Sequence, residues 1–129
     1  MNYQDYTLAF HAAAQLVEAG RYEKAISAFE DLLANNIPDV DKSIICLNIA
    51  VIYEKMGRVE SILSWYDQGK RYEKRQCRFT VAESKAAYLA KVGNHRESLR
   101  EYQELLRRDE LALVDIARIE ANIATLKNR

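Results

Sequence analysis

Residues 20–33 read GRYEKAISAFEDLL, and the fold turns on what this stretch repeats. Its tetrapeptide Arg21-Tyr22-Glu23-Lys24 recurs at Arg71 to Lys74, which would set a period of fifty residues. Its leading glycine gives a different answer. Gly57 opens GRVESILSWYDQGK and Gly93 opens GNHRESLREYQELL, so the three glycines lie 37 and 36 residues apart. In that register Ala25, Ile62 and Ser98 correspond, and an aromatic stands nine residues after every glycine, at Phe29, Tyr66 and Tyr102. The glycine register carries a regular pattern and the tetrapeptide register does not. The second copy, Arg71 to Lys74, falls at the far end of the second unit.

Apolar steps of three and four residues run on both sides of each glycine, as on one face of a helix. Before Gly20 they are Ala9, Ala12, Ala13 and Leu16; after it come Tyr22, Ala25, Ile26, Phe29, Leu32 and Leu33. Pro38, the single proline, bars helix through Ile37, so the first hairpin ends near Asn35. Helices are expected over Val40 to Met56 and Glu60 to about Tyr72, then Thr80 to Val92 and Arg96 to Arg108. Asp39 and Asp41 fit as capping and dipole residues of the third helix. Past Asp109 no glycine turn follows. Leu113, Ile116, Ile119, Ile123 and Leu126 form one apolar face of a last helix, with Asp109 and Glu110 opening it and Lys127 and Arg129 closing it.

A short helix cannot bury its stripe alone, so such hairpins must stack. The expectation is an all-α fold of about seven helices in a single domain spanning 1–129. Its repeats run over about 6–39, 40–76 and 77–109, followed by a capping helix over about 110–127.

These residues resemble the tetratricopeptide repeat, a helix-turn-helix unit of about 34 residues. That unit pairs a small residue in the first helix with glycine at the turn, then a small residue, an aromatic and a proline. Ala13, Gly20, Ala25, Phe29 and Pro38 match in the first copy, and Ala50, Tyr53, Gly57 and Tyr66 in the second. Ala86, Gly93, Ser98 and Tyr102 match in the third. The resemblance implies a right-handed superhelix of antiparallel helix pairs, whose first helices line a concave groove that binds peptides or proteins.

By helical phase, the groove would present Phe10, Ala14, Val17 and Glu18 from the first hairpin. The second would add Leu47, Asn48, Val51, Glu54 and Lys55, and the third Glu83, Ala87, Ala90 and Lys91. One subset of the family clamps chaperone C-terminal carboxylates with lysine, arginine and asparagine. At the matching places stand Phe10, Ala14, Asn48, Thr80 and Ser84, so the cations are missing and that reading is rejected.

Other functions find less in the sequence. Nineteen basic and nineteen acidic residues cancel, leaving no global field for nucleic acid. The basic junction of Lys70, Arg71, Lys74, Arg75 and Arg78, beside Tyr72 and Phe79, is the main nucleic-acid candidate; cations that neutralise a helix C-terminus and pair with nearby acidic residues are the simpler account. His11 and His95 lie in different repeats without metal spacing, Cys46 reads as a packing residue, and no phosphate loop or nucleophile elbow is present. No catalytic residue, cofactor or metal is expected. No apolar run reaches the roughly 20 residues of a membrane span, and the N-terminus lacks a secretory pattern, so a cytoplasmic setting is expected. The sequence therefore points to a non-enzymatic adaptor that binds a protein or peptide, with a self-associating scaffold as the alternative.

Overall fold

The computed structural model describes residues 1–128. Among them are seven α-helices and no strand: α1 (Tyr3–Glu18), α2 (Tyr22–Leu33), α3 (Asp39–Met56), α4 (Val59–Lys74), α5 (Thr80–Lys91), α6 (His95–Leu106) and α7 (Leu113–Lys127). The all-α expectation of seven helices is met. The chain forms two compact units, Met1–Gln76 and Cys77–Arg129. The first holds the hairpins α1/α2 and α3/α4; the second holds α5/α6 and α7.

All three hairpins turn by the same hydrogen-bond pair. Gly20, Gly57 and Gly93 have φ of 75°, 73° and 87°, the left-handed conformation that a Cβ disfavours. Each glycine N–H donates to the carbonyl three residues back: Val17, Glu54 and Ala90. The N–H of the next residue donates five back, to Leu16, Tyr53 and Leu89. This pattern satisfies the last helical carbonyls and stops the helix. A Cβ at these glycines would meet nothing within 4 Å, so the backbone dihedral rather than space selects glycine.

Positions in register share their burial. Ala13, Ala50 and Ala86 are all fully buried, as are Ala25 and Ser98, with Ile62 nearly so; Phe29, Tyr66 and Tyr102 are buried too. Small residues let paired helices approach closely, and the aromatic fills the space beside them. In the first unit the core joins Ala13, Ala25, Ile26, Phe29 and Leu32 to Ile45, Ile49 and Ile52 of α3. In the second, Ala82, Ala86, Tyr102 and Leu105 meet Ile119 and Leu126 of α7. Lys85 of α5 and Glu101 of α6, both almost out of solvent, pair at 2.6 Å across the hairpin.

Three local expectations change. Pro38, not Asp39, is the N-cap residue of α3, since its φ of −60° and ψ of 150° suit that place; Asp39 and Asp41 occupy the first turn, where they complement the dipole. Asp109 and Glu110 lie before α7, Glu110 being held by Arg108. Asp115 instead serves the helix start, accepting from the Ala112 N–H at 3.2 Å. Leu113 is not part of the buried face of α7: it is 85% exposed, and the packed residues are Ile116, Ile119, Ile123 and Leu126. Arg129, expected to close the helix, lies outside the described residues.

Candidate functional site

The nominated groove residues fall into distinct environments. Phe10 is part-buried against the first core, its ring meeting that of Phe29 edge to face with centroids 5.3 Å apart. Val17 packs on the same cluster. Ala14 is half-buried. On α3, Leu47, Asn48, Val51 and Glu54 are half-buried, while Lys55 is exposed. On α5, Glu83 is taken by α7: Arg118 donates to its two carboxylate oxygens at 2.6 and 2.9 Å. Ala87 is exposed, Ala90 half-buried, and Lys91 and Glu18 exposed.

One continuous face emerges on α3, where Ile44, Asn48, Val51 and Lys55 follow at four, three and four residues. Ile44 is 39% exposed, an unusual state for isoleucine on a helix whose other sides bury Ile45, Ile49 and Ile52. Asn48 donates its Nδ2 to the Ile44 carbonyl oxygen at 2.8 Å, which orients the amide along this face. In the same register α1 offers Thr7, His11, Ala14 and Glu18, of which all but Ala14 are exposed. Ile44 and His11 were not among the residues that helical phase assigned to the groove. The signal was present: each sits one register step from Asn48, but Ile44 reads as core in so apolar a helix.

The basic junction divides between the units. Lys70, Arg71, Lys74 and Arg75 belong to the end of α4 in the first; Arg78 belongs to the start of the second. Arg71 and Lys74 occupy the last turn of α4, where the dipole favours cations. Arg75 pairs with Asp39 at 3.5 Å. The aromatics offered for base stacking already carry cations: the Lys42 ammonium lies 5.5 Å from the Tyr72 ring centroid, and the Arg108 guanidinium 5.9 Å from that of Phe79. Such covering leaves each ring one fewer face for a base.

Cys46 is fully buried, and burial pushes its thiol up to about 12, with Arg71 pulling weakly the other way. A thiol so held is a packing group, not a nucleophile at neutral pH. Among the described residues no cluster of histidine, cysteine and carboxylate is arranged for a metal, and no helix is long and apolar enough to cross a membrane.

No curated protein matches the chain. A family model described as a domain of unknown function, DUF6340, matches residues 11–108, which span all three hairpins apart from the first part of α1. The chain belongs to the DUF6340 family.

Proposed function

We propose that this protein is a non-enzymatic binding module, a tetratricopeptide-like array that holds a peptide or partner protein on the exposed face of its first helices. The observation that carries the reading is the Ile44–Asn48–Val51–Lys55 face of α3. It combines an exposed aliphatic side chain with an oriented amide. The Asn48 amide keeps its carbonyl oxygen and a second N–H for a partner's main chain, while Ile44 and Val51 offer apolar area worth roughly 25 cal/mol per Å² covered. The three glycine turns and the matched burial of Ala13, Ala50 and Ala86 support the likeness to that repeat. On this reading the hairpins coil as a right-handed superhelix, and the protein works in the cytoplasm.

The test is site-specific photo-crosslinking. A photoreactive residue at position 48 should yield a discrete adduct with one partner, and the same residue at exposed Ser64 on α4 should not. Equal adducts from both positions would remove the α3 face from consideration.

A second reading, self-association, has its own observation: Tyr3 and Leu8 of α1 are 82% and 64% exposed. Light scattering over a concentration series decides it, a monomer throughout excluding the dimer.

A further inference from the structure

The outer side of α6 carries a stripe of arginine. Arg96, Arg100, Gln103 and Arg107 follow at four, three and four residues, so they share one side of the helix, and all four are exposed. The same register on α2 holds Glu23, Ser27, Glu30 and Ala34, also exposed. One hairpin's second helix is thus basic where its counterpart is acidic.

Neither stripe is explained by the needs of its own helix. Arg96 stands in the first turn of α6, at the positive end of the helix dipole. It also lies four residues from Arg100, a like-charge spacing that weakens a helix. Glu30 and Asp31 stand in the last turn of α2, at the negative end, with no basic residue beside them in that turn. Among the described residues Arg96, Arg107, Glu30 and Asp31 make no ion pair. Glu23 pairs with Arg58 and Arg100 with Glu97, each at 3.1 Å, but both pairs are exposed and exchange at little cost.

The spacing sets how the stripes can meet. Steps of four, three and four read the same in both directions, so α6 of one copy laid antiparallel on α2 of another matches step for step. Arg107 then faces Glu23, Gln103 faces Ser27 and Arg100 faces Glu30, with Arg96 beside the Asp31 end. In the parallel sense only one carboxylate, Glu23, would face an arginine. The antiparallel sense also sets each dipole end against its opposite, which relieves both Arg96 and Glu30. The net charge is zero, so two copies approach without overall repulsion.

We propose that the protein self-associates by docking α6 of one copy on α2 of a second through these complementary stripes. The contact uses neither the α3 face nor Tyr3 and Leu8 of α1.

Sedimentation velocity of the full chain at about 10 and about 150 mM salt tests this, because the Debye length shrinks from roughly 30 to 8 Å between them. Association should weaken at least about tenfold at the higher salt. A monomer at both, or a complex indifferent to salt, overturns the proposal; the second result would give the contact to apolar groups such as Leu8. Charge exchange then identifies the surfaces. A chain with Glu23→Arg and Glu30→Arg, and another with Arg100→Glu and Arg107→Glu, should each stay monomeric alone. Mixed in equal amounts at low salt, the two should associate. A reversed chain that associates alone, or a mixture that stays monomeric, overturns the proposal. All four positions are exposed, so both chains should keep the native helical circular dichroism. Should either lose it, the salt series on the unaltered chain decides.

Discussion

Arg118 of α7 grips Glu83 of α5 through two hydrogen bonds, at 2.6 and 2.9 Å, and reaches Asp115 on its own helix at 2.9 Å. The fork matches the carboxylate and ties the last helix to the third hairpin. The two carboxylates raise the guanidinium's pKa, so Arg118 stays a charged donor at every ordinary pH.

Arg118→Ala should therefore loosen α7 while leaving α5 and α6 in place. Hydrogen exchange at Ile119 and Ile123 should speed up, with little change at Ala86 or Tyr102. Exchange unchanged along α7 would mean that Ile119 and Leu126 hold it unaided.

The close approach of α5 and α6 rests on Ser98, whose Oγ donates to the buried Ala86 carbonyl oxygen at 2.7 Å. Ser98→Ala should cost about 1 kcal/mol, the net value of one hydrogen bond. Ser98→Leu should cost more, about 1–3 kcal/mol, because Ser98 is fully buried and its neighbours must shift to take the added carbons. Urea unfolding of both variants checks the order; a larger loss in Ser98→Ala would contradict it.

Alkaline pH should destabilise the fold through one buried acid, Cys46, and one part-buried acid, Tyr6. Burial pushes Cys46 up from its usual 9.0 to about 12; burial, with help from Asp41 and Tyr3, pushes Tyr6 from 10.0 to about 12. A raised pKa means that the folded state prefers the neutral form. Its contribution is thus whole below pH 9 and drains away as pH rises toward about 12. Melting temperature measured between pH 8 and 11 should fall, and Cys46→Ala should flatten part of the slope. In the native protein at pH 8, a thiol reagent should modify exposed Cys77 and spare Cys46, which should react only after unfolding. Rapid labelling of both would refute the burial argument.

The helices were legible in the sequence because their punctuation is local. Gly20, Gly57, Gly93 and Pro38 act through their own backbone dihedrals, which neighbours do not alter. The start of α7 was less legible: three residues from Glu110 to Ala112 continue an apolar, helix-compatible pattern, and Arg108 draws Glu110 into the turn instead. The candidate face was legible only in part. Helical phase separates the side facing the hairpin partner from the rest, but it does not distinguish stacking positions from open ones. Phe10 and Leu47 share one register position, as do His11 and Asn48 one residue on, and Phe10 packs on the core whereas His11 is exposed. Glu83 was fixed by Arg118, 35 residues away, which no local pattern reveals.

The central claim is that the α3 face captures a partner, and the most direct measurement is the affinity of the crosslinked partner for Ile44→Asp. Ile44 is exposed enough for the charge to stay in water, so the melting temperature should hold within a few degrees. Burying that charge against an apolar ligand should weaken binding at least tenfold. Unchanged affinity in a folded Ile44→Asp would contradict the account.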